Sequence, residues 1–206
     1  MFESKTFDHY WQAEDGRIYS SKKQTLVTAS DADFVAFSQY HPVTPWPRDA
    51  SNNQTDAALQ NLLNPYLTIF VNNTYYAADA RWRKEQAGIT VTAGGSAFPL
   101  KTDDRSQAKV NGARIVSGEV VDPQETTPWT AADGTIHPLT AADLQSMSDQ
   151  LQQHINGCFA IYKEVVAGID GGTITTRDQI DAAFDTLARI YDAVPTGQVW
   201  KVRRRP

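Results

Sequence analysis

Side chains able to carry acid–base, nucleophilic or metal chemistry are few in this chain and widely spaced. The four histidines, His9, His41, His137 and His154, fall one to a region. No pair stands at ligand spacing, and neither CxxC nor HExxH occurs, so no metal site is expected. His154 lies mid-helix, one position before Ile155, and reads as a second-row or exposed histidine. His9, beside Tyr10, joins a metal or binding cluster only if the symmetry of an oligomer builds one. The single cysteine, Cys158, sits on an apolar helical face and reads as a buried small hydrophobe. A catalytic thiol would need exposure and a cationic neighbour. One cysteine allows no disulfide framework within the chain, so nothing points to an oxidising compartment.

Carboxylates occur in the pairs Asp31/Asp33, Asp103/Asp104 and Asp178/Asp181. A glycosidase needs two carboxylates facing each other across a cleft. These pairs instead fall in the first turns of predicted helices, where the helix dipole explains them. Asp103-Asp104-Arg105 also allows a local ion pair, worth little when exposed. Gly94-Gly95 and Gly171-Gly172 begin neither GxGxxG nor GxxxxGKS/T and read as turn or cap glycines. No GxSxG elbow occurs. No cofactor and no catalytic residue is expected.

Aromatic residues are the remaining resource. Tyr10, Trp11 and Tyr19 lie in a predicted hairpin and Trp46 in the connector that follows. In a module this small they are the candidate partner-binding residues, covering a sugar or a partner protein. Ordinary core packing is the competing reading.

The elements that must position these residues are organised on residues 140–170. Leu144, Met147, Leu151, Ile155, Cys158, Phe159, Tyr162, Val166 and Ile169 recur in steps of three and four, a helical stripe. Thr140 is its N-cap, Asp143 the third position of a capping box, and Gly171-Gly172 the stop. Before it, residues 9–12 and 17–20 flank Asp15-Gly16 as a hairpin, with 25–27 as a third short strand. Ser30 is read as the cap of a helix with Phe34, Phe37 and Tyr40 inward, ended by His41-Pro42. Residues 42–53 form an extended connector anchored by Trp46. A short helix, 54–63, places Leu59, Leu62 and Leu63 inward. Asn64-Pro65 reads as a boundary, and residues 66–71 as a strand or the lead-in to the next helix.

That helix runs from Asn72 or Thr74 to Gln86, with Tyr75, Tyr76, Ala80 and Trp82 as packing residues. A second hairpin turns at Thr92-Ala93-Gly94-Gly95. A third helix, capped at 102–104, runs to Val116 with Ala108, Ala113, Ile115 and Val116 as its small or apolar positions. A polar loop (117–127) leads to a third hairpin around residues 131–134. After the long helix, Thr176 caps a last helix from Arg177 to about Ala193, with Ile180, Phe184, Leu187, Ile190 and Tyr191 as its stripe. The basic end, residues 201–206, reads as a solvated terminus.

The chain of 206 residues is 41% apolar and 21% charged, ordinary for a soluble globular protein. A net charge of −5 argues against nucleic-acid binding driven by whole-chain charge. No stretch is apolar enough to span a membrane. The polar N-terminus reads as neither a signal nor a transit sequence, so release into a cytoplasm is expected.

From Tyr76 onward the anchors fall in a particular order. They are residues 77–85 (AADARWRKE), 88–91 (GITV), 102–107 (TDDRSQ), Trp129 with Asp133-Gly134, and 139–143 (LTAAD). His154, Cys158-Phe159, and Ile169 with 172–175 (GTIT) complete the series. Over about residues 76–184 this resembles a domain of unknown function common in tailed-phage and prophage tail modules, close to tail-fibre genes. The N-terminal part is similar to short phage tail-associated modules, in which an aromatic hairpin W-x(4)-G-R-x-Y-S-S precedes an acidic helix and a Trp-Pro or Thr-Pro connector. The resemblance implies work in the virion tail, assembled in the bacterial host cytoplasm. It implies other fibre or baseplate proteins as partners and several copies per particle, without nucleic acid or membrane as a partner. It supplies no catalytic residues.

The expected fold is α+β and mainly helical. A hairpin-helix docking module covers 1–64, and a helical domain with two β-hairpins, built on the 140–170 helix, covers 65–206. The expected function is a non-enzymatic structural component of a phage tail. A tail-fibre assembly chaperone is the alternative, and a cell-wall or polysaccharide hydrolase the reading from another class.

Overall fold

The computed structural model describes residues 8–66 and 69–192 and, of these, the side chains of all but 66 and 187–192. The fold is mixed α and β, mainly helical, as the sequence predicts. Two compact units are present, Met1–Tyr76 and Ala77–Pro206. The expected tail 201–206 and the Leu187, Ile190 and Tyr191 positions of the last stripe lie outside the described residues and side chains.

The first unit is a four-stranded sheet with helices. Strands β1 (Tyr10–Gln12), β2 (Ile18–Ser20) and β3 (Thr25–Val27) form an antiparallel meander. Strand β4 (Thr44–Pro45) pairs with β1 in parallel, giving the order β3-β2-β1-β4. The sequence treats β4 as plain connector, because two residues carry no period-2 signal. Side chains alternate across the sheet. Tyr10 and Ile18 meet Phe34 on one face, while Trp11 and Tyr19 meet Trp46, Leu59, Leu63 and Val71 on the other.

Helix α1 (Ala32–Ser38) is capped by Asp31, not Ser30: the Asp31 carboxylate accepts from the Asp33 and Phe34 amides. Both aspartates are further engaged by Lys23, at 2.7 and 2.9 Å. Tyr40 is exposed rather than inward, because α1 has ended by Gln39. Helix α2 (Asp56–Leu63), capped by Thr55, buries Leu59 and Leu63 one turn apart and exposes Leu62. The first unit extends through Tyr76 rather than ending at Asn64. Among the described residues of 66–71 there is no strand. Side-chain amides supply the pairing a strand would have had. Gln60 donates to the Ile69 carbonyl at 3.1 Å and accepts from the Val71 amide at 2.8 Å, while Gln24 accepts from the Phe70 amide at 3.1 Å.

Helix α3 (Asn73–Gln86) starts after Asn72, whose side chain accepts from the Thr74 and Tyr75 amides. The division between units falls within this helix. It buries Ala77 and Ala80 and leaves Trp82 half-exposed, against expectation.

In the second unit, β5 (Ile89–Ala93) and β6 (Ser96–Leu100) form a five-pair hairpin. Gly94 and Gly95, with φ of +58° and +75°, make its two-residue turn. Helix α4 (Asp104–Ser117) is capped by Asp103. Strands β7 (Thr126–Thr130) and β8 (Ile136–Thr140) form the last hairpin and lead directly into α5 (Ala141–Asp170). The expected capping box is present: Thr140 accepts from the Asp143 amide while the Asp143 carboxylate accepts from the Thr140 amide. The core joins Val91, Phe98 and Leu100 of the first hairpin, Val110 of α4, Leu139 of β8, and Leu144, Met147 and Leu151 of α5.

Helix α6 (Arg177–Asp192) returns along α5, with Ile180 and Phe184 buried. Thr176 caps it, its hydroxyl accepting from the Gln179 amide at 3.3 Å. The α5–α6 turn is tight. A Cβ at Gly168 would meet the Ile174 side chain at 2.8 and 2.9 Å. Gly168→Val is expected to lower stability by about 1–3 kcal/mol through overpacking, outweighing a helix-propensity gain of roughly 0.5 kcal/mol. Urea unfolding checks this as a lowered midpoint at unchanged slope. An unmoved midpoint would mean that the 171–176 connection repacks freely.

Candidate functional site

The four aromatics singled out from the sequence are brought together, but as a core. Tyr10, Trp11, Tyr19 and Trp46 are all buried. Trp11 and Tyr19 lie with ring centroids 6.0 Å apart, and Tyr19 and Trp46 at 6.5 Å. The polar atoms of Tyr10, Tyr19 and Trp46 are taken up internally. The Tyr19 hydroxyl donates to the Phe70 carbonyl at 2.9 Å, and the Trp46 indole to the Thr55 carbonyl at 2.9 Å. The Tyr10 hydroxyl donates to Asp8 at 2.5 Å, and burial together with that carboxylate pushes it well above the usual phenol range. A partner meets none of these rings while the unit is folded.

Of the paired carboxylates, Asp31, Asp33, Asp103 and Asp181 are engaged in caps or ion pairs. Asp103 holds the first turn of α4 through the Ser106 hydroxyl and amide, and those bonds hold its carboxyl below the usual range. Asp143 accepts from the Thr140 hydroxyl and from the Gly94 amide at the hairpin turn, with the same consequence. Asp181 lies 3.8 Å from Arg83. A groove of about 470 Å³ is lined in part by Gln86, Gly88, Leu100, Lys101 and Asp103. Its carboxylate is the one already capping α4. Among the described residues no three metal-ligating side chains converge.

His154 departs from expectation: it is buried. Leu151, His154 and Cys158 follow the same three–four spacing, so the ring faces inward. Its Nε2 lies 3.2 Å from the Lys84 carbonyl near the end of α3 and 3.8 Å from Cys158 Sγ. A carbonyl only accepts, so Nε2 carries the proton. The pair resembles a Cys–His dyad in composition but is set for inertness. Burial pushes the thiol up to about 11 and the imidazole below its ordinary value. Both groups are thereby held neutral, whereas thiolate chemistry needs the reverse.

The His154 shift has a measurable consequence. The folded state holds the ring neutral, and the unfolded chain protonates it below about pH 6.5. This contribution is therefore present above that pH and lost as pH falls through it toward the depressed folded value. The urea midpoint is expected to drop between pH 8 and pH 5.5, with a smaller drop in His154→Gln. Equal drops in both proteins would assign the pH dependence to other groups.

What the surface offers is a different set of residues. Phe159 is half-exposed, with the Arg81 guanidinium 4.3 Å from its ring centroid and Arg81 also paired with Glu85. Ile115 and Val116 at the end of α4, and Val121 just after it, are exposed. The sequence marks Ile115 and Val116 as apolar positions of α4 without assigning them a face. The spacing Val110, Ala113, Ser117 is the signal that puts them outward. His137 stacks on Phe98 at 4.2 Å, and the neighbouring Trp129 indole nitrogen is buried without a partner among the described residues.

No curated protein and no solved structure matches the chain. A family model matches residues 72–201, which begin at the residue that caps α3 and take in all the described residues of the second unit. That match covers well over half of the chain, which belongs to the family described as Domain of unknown function (DUF4376).

Proposed function

We propose that the chain is a non-enzymatic structural component of a bacteriophage tail, an adaptor at the fibre or baseplate that works through protein–protein contacts and in several copies. The observation that carries the adaptor part is the surface of the family unit, where Ile115, Val116, Val121 and Phe159 stand exposed. Large apolar side chains exposed within one short stretch, as Ile115, Val116 and Val121 are, suit a contact site. The phage-tail part is supported by the ordered anchors between Tyr76 and Phe184, which resemble tail-module sequences. Asp103 and Asp143 are engaged in caps, Asp181 lies beside Arg83, and His154 and Cys158 are packed in the interior. That arrangement suits a building part better than a reaction centre.

Mass spectrometry of purified particles tests the proposal, with peptide counts scaled to a known tail protein. The expected result is a fixed stoichiometric ratio. Absence from particles, with presence in the infected-cell lysate, would overturn the structural role and favour a fibre-assembly chaperone that binds and leaves.

A further inference from the structure

Helix α4 ends in a surface whose chemistry specifies a partner. Ile115, Val116 and Val121 are 70%, 62% and 96% exposed. The backbone turns tightly between them, the Gly118 amide donating to the Ile115 carbonyl at 3.1 Å and the Glu119 amide to the Val116 carbonyl at 3.0 Å. The three exposed apolar side chains therefore fall between residues 115 and 121, at and just past one helix end. Between them and just beyond lie Glu119, Asp122 and Glu125, all exposed. No lysine or arginine occurs from 115 to 125. The cation next to this stretch in sequence, Arg114, is already paired with Asp149. The Asp122 carboxylate turns back to accept from the Gln124 amide at 2.9 Å, which keeps the loop folded but leaves its charge uncompensated. Strand β7 follows immediately, with Thr126, Thr127 and Pro128 exposed, so the surface continues as a strip.

Resting on the adaptor reading above, we propose that this strip docks a basic segment of a partner chain that carries two or more apolar side chains among its lysines or arginines. The apolar trio supplies burial. The acids supply sign selection and steering, because like-charged segments are repelled at the same rim. An acidic or purely apolar segment leaves one half of the strip unmatched, which is how specificity by chemistry works at an interface.

The test uses the full chain and a fluorescently labelled amphipathic Leu/Lys peptide, followed by anisotropy. Ile115→Ser/Val116→Ser/Val121→Ser is expected to weaken binding at least tenfold without changing the melting temperature, since none of the three is in the core. Glu119→Gln/Asp122→Asn/Glu125→Gln is expected to weaken binding and flatten its salt dependence. Equal binding of a Lys/Ser peptide of the same charge would overturn the proposal, because charge alone would then suffice. Self-association of the wild type, abolished by the serine variant, would also overturn it and assign the strip to a second copy. Absence of the wild-type chain from purified particles would sink the tail reading alone, leaving the peptide result to decide this surface.

Discussion

Replacing Trp46 with alanine is expected to cost the first unit about 3–5 kcal/mol, the range for removing a buried aromatic from a core that relaxes only partly. Trp46 is 1% exposed and packs in one cluster with Trp11, Tyr19, Leu59, Leu63 and Val71. Its amide donates to the Gln12 carbonyl at 2.8 Å, extending the β1–β4 pairing. Its indole donates to the carbonyl of Thr55, the residue that caps α2. The Arg17 guanidinium lies 4.7 Å from its ring centroid, while the Arg17 side chain also reaches Asp56 at 2.8 Å and the Gln54 carbonyl at 2.7 Å. Sheet, connector and helix therefore meet on one side chain. A unit of this size has only a modest stability margin. The loss is enough to unfold it or nearly so. Hydrogen exchange read peptide by peptide is expected to show protection lost across 8–66 and 69–76. Trp46→Phe keeps most of the ring and is expected to cost less, chiefly the indole bond at about 1 kcal/mol. Retained protection in β1 and β2 of the alanine variant would mean that the sheet holds without its anchor.

Trp46 was legible in the sequence as an anchor because a tryptophan among prolines has few other roles. Its neighbours show why legibility stops where it does. The hairpin at Asp15-Gly16, the turn at Gly94-Gly95 and the capping box at Thr140 and Asp143 are local devices, and the structure contains each of them. The pairing of β4 with β1 joins residues far apart in sequence and carries no periodic signal. The glutamines that pair with the backbone at 69–71 are invisible for the same reason, since Gln60 in a helix reads as a good helix former and nothing more.

Helical faces failed where residue type was allowed to outweigh spacing. Leu62 and Trp82 are apolar but lie off the inner face of their helices, whereas His154 is polar and lies on it. The positions 144, 147, 151, 154 and 158 keep one angular phase, so the burial of His154 was available from the spacing alone. The candidate site suffered most, because aromatic content marks a core and a contact surface equally well. Only the distribution of exposure separates the two, and that distribution is a tertiary property.

Met147→Ala is expected to destabilise the second unit by about 2–5 kcal/mol. Met147 is fully buried at the centre of the core, among side chains from β5, β6, α4 and β8. A two-stranded hairpin is marginal by itself in water, so β5–β6 depends on the α5 face beneath it. That dependence is also polar. Gln150 clamps Thr92 by accepting from its amide at 2.9 Å and donating to its carbonyl at 2.9 Å, and Asp143 accepts from the Gly94 amide at 2.8 Å. These bonds hold only while α5 keeps its distance from the hairpin, and a cavity at Met147 lies between the two attachments. Exchange protection in 89–93 and 96–100 is therefore expected to fall more than in the C-terminal half of α5, which packs against α6 instead. Met147→Leu conserves volume and is expected to cost under about 1.5 kcal/mol. A leucine variant as damaged as the alanine one would show that the flexibility of methionine, rather than its volume, holds this core together.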